Sequence, residues 1–210
     1  MWVSPMSKSK EPDTDTIVED ELVNVGGKEP DGKPAAIGRW TFQTKKVRDV
    51  LLTWLEGRVL NPFAGKTQLS EYKRGIEEVR NDLNPERDAE YHHDAVELGD
   101  VFEPASFDVI VLDPPFDQTQ SDEHYDGLHA RDMGDIRRKL APLVKPGGRM
   151  VEFGWDMWGA SDYFDLWVRE DKRFFRRAMP GRHPILMTVD KKAQMTLSDN
   201  APTRSGGSDA

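Results

Sequence analysis

Apolar positions along the chain fall into two periods that take turns. In "KKVRDVLLTWLEG", Val47, Val50, Leu51 and Leu55 recur at helical spacing and Gly57 stops the pattern. "RVLNPF" (58–63) reads as a short strand running into a turn. "QLSEYKRGIE" (68–77) predicts a helix and "EEVRNDL" (77–83) a strand. A helix over "ERDAEYH" and a third short strand around Tyr91 to His93 follow. "FDVIVLD" (107–113) is a near-continuous apolar run, the pattern of a strand covered on both faces. "DMGDIRRKLAPLV" then sets Met133, Ile136, Leu140 and Leu143 on one side of a helix, "KPGG" turns, and "RMVEFGW" (149–155) is a strand. "SDYFDLWVRED" (161–171) predicts a helix, and residues 174–192 read as two strands around Pro180-Gly181.

Strands alternating with helices imply an α/β fold, a doubly wound and mostly parallel sheet with a terminal antiparallel hairpin. The folded block is expected over residues 37–192. Residues 1–36 and 193–210 are rich in Pro, Gly and charged residues and are expected to be disordered tails. Net charge is -9, which argues against a protein that merely coats polyanions, since phosphate is held by Lys and Arg. There is no Cys, hence no disulfide framework, thiolate metal site or thiol nucleophile. No apolar run has the length of a membrane span and the N-terminus lacks the apolar stretch of a signal peptide, so the expected location is cytoplasmic, away from membranes.

In such sheets ligands sit beyond the carboxyl ends of the strands, and the strand ends here carry the chemistry. "DPPF" closes the clearest strand. An exocyclic base amine is a poor nucleophile because its lone pair is delocalised into the ring. A carboxylate accepting one N–H and a backbone carbonyl accepting the other would aim that lone pair at a methyl donor. Asp113 supplies the carboxylate and Pro114 the carbonyl. Pro115 keeps the segment out of the ladder, and Phe116 is placed to stack on the base. "NPFAG" (Asn61, Pro62, Phe63, Ala64, Gly65) is a strand running into a small-residue turn, where backbone amides can approach a ligand. Leu60 stands where a phosphate loop needs glycine, which sets aside a nucleotide triphosphatase despite "GKT". Asp82, ending the next strand, suits ribose hydroxyls or a helix cap. Asp94 suits an adenine amine or a turn.

"NPFAG" followed by "DPPF" resembles the S-adenosylmethionine-dependent amino-methyltransferases, which methylate adenine or cytosine amines in DNA and guanine or adenine amines in RNA. The resemblance spans roughly residues 40–192. It implies a class I, Rossmann-like, seven-stranded-type fold, S-adenosylmethionine as cofactor and no metal. Asn61 replaces the usual Asp, and Thr67 stands where a second Gly is usual. "WTFQTKK" is similar to the family's other cofactor segment, which implicates Phe42 and Gln43.

The expected partner is nucleic acid, with adenine in DNA ahead of a base in RNA. The alternative outside catalysis is a methyltransferase fold that serves as a binding module. Base contacts would come from the loop 117–132, with Tyr125 and Arg131, from a tail, or from a specificity partner. Trp155 and Trp158 would wall the base pocket or fill the core. Lys172, Arg173, Arg176, Arg177, Arg182 and His183 would form a phosphate-facing rim or a solvated hairpin.

Overall fold

The computed structural model describes residues 20–24, 41–115, 133–176 and 184–194. Among the described residues seven strands form one sheet: β1 Asp20–Asn24, β2 Arg58–Asn61, β3 Glu77–Arg80, β4 Phe107–Leu112, β5 Val144–Gly154, β6 Trp167–Arg176 and β7 Ile185–Lys192. Their order across the sheet is β1-β6-β7-β5-β4-β2-β3. Only β7 runs antiparallel to its neighbours, β5 and β6. The described α-helices are α1 Lys45–Trp54, α2 Leu98–Val101 and α3 Met133–Leu140.

Alternation along β4 divides the core into two layers, as the pleat requires. Val109 and Val111 face Val47 and Leu51 of α1, in a cluster with Val59, Val151 and Met187. Ile110 and Leu112 face Leu98 of α2 and Ile136 and Leu140 of α3. Both faces of β4 are therefore dry, which is why its sequence is nearly all apolar. The residues "KPGG", expected as a turn, bulge from the ladder within β5: Phe107 pairs with Val144, but Val109 pairs with Arg149. Phe107 packs in the same layer as Ile110 and Leu112.

The structure corrects several expectations. The helix expected over 68–77 is a single 3-10 turn, Leu69–Glu71. Gly75 takes φ +85°, and the Glu78 carboxylate draws the Ser70 amide at 2.9 Å, so the crossover is too tightly tied to extend a helix. No helix forms over 86–92. Glu90 and Tyr91 amides instead bond the Arg80 carbonyl at 3.1 and 3.2 Å, pulling the chain alongside β3. The third strand expected there shrinks to one bridge, Asn81 with Tyr91. The helix expected over 161–171 is a 3-10 turn at Ala160–Asp162, and the rest enters β6. Arg169 on β6 pairs with the fully buried Asp190 of β7, a tertiary contact that overrides local periodicity. Finally, Asp20–Asn24, expected inside a disordered tail, is strand β1, parallel to β6 at the sheet edge.

Candidate active site

β2 connects to β3 on one side of the sheet, whereas β4 lies on its other side, with Val59 opposite Val109 and Leu60 opposite Ile110. The order of connection reverses between β2 and β4, and a reversal of this kind opens a crevice at the carboxyl ends of the strands. "NPFAG" leaves β2 on one side of that crevice, and "DPP" leaves β4 on the other.

The loop after β2 is held from both ends. Gly65, at φ +54°, donates its amide to Asp82 Oδ2 at 2.8 Å, and its carbonyl accepts from Arg80 Nη2 at 3.3 Å. The Ala64 amide bonds the Asn81 carbonyl at 2.9 Å, and the Pro62 carbonyl accepts from Asn81 Nδ2 at 3.0 Å. Ala64 is buried and Phe63 half-buried. Asp82 is buried, and its second oxygen accepts the Asn84 amide at 3.0 Å. Its carboxylate thus shapes the loop, a role that the ribose expectation did not include. Arg80 was not singled out in the sequence, where it is one basic residue in a charged stretch. Its burial at 5% exposure is what marks it.

Asn61 is fully buried and donates to Glu78 Oε1 at 3.2 Å. An aspartate here, the residue usual in the motif, would set two carboxylates against each other, which accounts for the amide. Asn61 Oδ1 is buried with no hydrogen bond among the described residues. It is an acceptor that an ammonium group would satisfy. Small residues at a tight turn, an orphaned acceptor and a carboxylate at the end of β3 fit the amino-acid and ribose parts of an S-adenosylmethionine molecule.

Phe42 packs edge-on against Phe153 at 5.2 Å in the core, so its aromatic ring serves packing. Its neighbour Thr41 carries the contact to the end of β4: Thr41 Oγ1 donates to Asp113 Oδ1 at 3.1 Å. Asp113 is half-buried; burial pushes its carboxyl up to about 7, against the Thr41 hydrogen bond, which lowers it. Asp94 lies at the turn before α2, with Oδ1 accepting the Val96 amide at 3.2 Å and its carbonyl accepting from Glu97 at 2.8 Å.

Beside Pro114 and Pro115 lies a cavity of about 420 Å³, walled by Met133 and Arg137 of α3, by Glu152 and Phe153 of β5, and by Trp155, Trp158 and Tyr163. Trp155 and Trp158 are 41% and 56% exposed, so they are rim residues and not core. Glu152 and Arg137 were not foreseen. Glu152 is a lone acid in the apolar run "RMVEFGW", the one visible signal. Its Oε2 accepts from Arg137 Nε at 2.7 Å, and burial pushes its carboxyl up to about 7 against the pull of Arg137. Arg176 ends β6, on the same edge of the sheet. Phe116, Tyr125, Arg131, Arg177, Arg182 and His183 lie outside the described residues. Among the described residues there is no cluster of metal-ligating side chains, and no helix is long and apolar enough to cross a membrane.

No family model matches the chain, and no curated protein matches it. Solved structures do. TrmN from Thermus thermophilus superimposes with a TM-score of 0.53 at 20% identity, over 75% of this chain and 51% of that one. The chain thus spans about half the length of the Thermus protein. The 1,6-didemethyltoxoflavin-N1-methyltransferase of Burkholderia thailandensis, solved with 1,6-didemethyltoxoflavin and S-adenosylhomocysteine bound, superimposes with a TM-score of 0.50 at 14% identity, over 70% of this chain and 77% of that one. With its strand order, its antiparallel β7 and these likenesses, the chain has the class I, Rossmann-like methyltransferase fold.

Proposed function

We propose that this protein transfers a methyl group from S-adenosylmethionine to the exocyclic amine of a nucleobase. The observation that carries the reading is the position of Asp113: a partly dehydrated carboxylate at the carboxyl end of β4, steadied by Thr41 and followed at once by the Pro114 carbonyl and a base-sized cavity. Bound S-adenosylmethionine would supply an electrophilic methyl group, its sulfur–methyl bond breaking as the new bond to nitrogen forms and S-adenosylhomocysteine being the leaving group. Asn61, Gly65 and Asp82 would hold it across the switch point. Asp113 accepts one amine N–H and the Pro114 carbonyl the other, which turns the nitrogen lone pair out of the ring plane and holds it for attack. As the N–C bond forms, the amine acquires positive charge, which Asp113 offsets. The surplus proton then leaves to Asp113, whose carboxyl near 7 can take it and release it to solvent. Trp155 and Trp158 offer apolar faces at the rim for the base, and Arg176 a charge for phosphate.

Motif resemblance places adenine in DNA first as acceptor and an RNA base second; Phe116, Tyr125, Arg131 and Arg177 complete that reading as base and backbone contacts, and a specificity partner would supply further ones. The protein is read as cytoplasmic. The test is methyl transfer from labelled S-adenosylmethionine into DNA and RNA, digestion to nucleosides and identification by mass spectrometry. Wild type is expected to label one base. Asp113→Ala should lose at least about a hundredfold in rate while still binding the cofactor in calorimetry. Labelling by Asp113→Ala at the wild-type rate would overturn the assignment.

A further inference from the structure

The reaction described above leaves one carboxylate in the cavity wall unused. Glu152 is 4% exposed, yet it lines the cavity beside Pro114 and Pro115. One oxygen is taken by Arg137 Nε, while Oε1 has no hydrogen-bond partner among the described residues. Arg137 is itself buried; it donates to the Trp158 carbonyl at 3.1 Å, and its guanidinium lies over the Tyr163 ring at 4.9 Å. The ion pair at 2.7 Å between this guanidinium and Glu152 calls for an anionic Glu152. Behind the pair, Asp190 and Arg169 add opposing charges of their own. Buried acceptors left without a donor are uncommon in folded proteins, and one on a side chain that lines a ligand-sized cavity points to a donor on the ligand.

The bases differ at the atom next to the amine. In adenine and cytosine the amine is flanked by a ring nitrogen without hydrogen, which is an acceptor. In guanine it is flanked by N1–H, a donor. An anionic oxygen repels the first and makes a charge-assisted hydrogen bond to the second. We propose that Glu152 Oε1 accepts the ring N–H beside the target amine, so that the base methylated is guanine and not adenine or cytosine. The inference rests on the reading that Asp113 and Pro114 hold a base amine next to this cavity. It moves the acceptor away from adenine, which the motif resemblance alone put first.

2-Aminopurine provides the discriminating probe, because it keeps the guanine amine but flanks it with unprotonated nitrogen. Full-length protein is given labelled S-adenosylmethionine and oligonucleotides carrying guanine or 2-aminopurine at one position, in DNA and in RNA, at about pH 8 so that both buried carboxyls are ionised. Wild type should methylate guanine faster by a factor on the order of a hundred or more. In Glu152→Gln the amide oxygen stays with Arg137, leaving the NH2 group to face the cavity. Guanine should then lose its advantage and 2-aminopurine gain on it. Thermal unfolding and cofactor calorimetry establish that the variant is folded. If it is not, the wild-type ratio alone decides. Equal wild-type rates on the two bases, or a methylated adenine or cytosine as the product, overturns the role of Glu152 and leaves methyl transfer by Asp113 standing. Transfer to no base at all sinks both.

Discussion

Asp113 carries opposing demands in one carboxyl group. In the proposed role it must be ionised to hold an amine, yet burial raises its carboxyl from the ordinary 3.8 to about 7. The sign of the consequence follows from linkage. Between the two values the unfolded chain ionises while the folded chain stays protonated, so this group costs stability as pH rises through that window and the loss is complete above about 7. Asp113→Asn lacks that loss. It should be more stable than wild type at about pH 8, by roughly 1–2 kcal/mol once solvent screening is allowed for, and no more stable at about pH 4. Urea unfolding at the two pH values checks this; a gain of equal size at both would remove titration as the cause. The same ionisation predicts that kcat/KM rises with pH through about 7. At this scale Asp113 and the two prolines were legible from sequence as the end of an apolar strand, and they directly follow β4. Glu152 was not, because a lone acid in a strand says nothing of the cavity beside it until α3 brings Arg137 against it.

Among the elements, the strands were easier to read than the helices. β2, β4, β5 and β7 carry apolar runs that only a covered sheet requires. α1 and α3 showed helical spacing, and both form. The helices that failed, over 68–77, 86–92 and 161–171, lie in crossovers where buried polar contacts fix the backbone one turn at a time: Glu78 on Ser70, Arg80 on the Tyr91 strand bridge, Asp190 on Ser161. Those partners fall outside the i, i+3 and i, i+4 spacings of a helix, so local periodicity could not register them. Gly57, which stops α1, shows a constraint that was only half visible. It has φ +57°, and a Cβ there would come within 2.3 Å of Asp108 Oδ2, the atom that accepts the Arg58 amide and the Lys145 ammonium. Gly57→Ala should therefore destabilise the fold by about 2 kcal/mol, through positive-φ strain together with the displaced carboxylate. Chemical denaturation measures it, and a change below about 0.5 kcal/mol would show that the turn relaxes freely.

For the molecule as a whole, β1 has the largest effect on how the sheet is finished. It covers one edge of β6 along Asp20–Asn24, opposite Lys172–Arg176. An uncovered strand edge is a template for pairing with another chain. Deleting residues 1–24 is expected to leave the rest of the sheet folded but self-associating, visible as faster sedimentation at rising protein concentration. Sedimentation as a monomer at all concentrations would show that β6 protects itself. From sequence alone, the chain determined its α/β class, its apolar central strand, its antiparallel hairpin and the residues at the mouths of β2 and β4. All of these are written in local patterns of apolar periodicity and turn chemistry. Only the tertiary structure decided which strands neighbour one another, that Gly65 is clasped between Asp82 and Arg80, that the N-terminal segment supplies an edge strand, and that Glu152, in the wall of a cavity, keeps one buried oxygen without a hydrogen bond among the described residues. The reason is that each of these depends on groups far apart in the chain meeting in a dry interior, where an unmet charge or hydrogen bond costs more than local preference can offset.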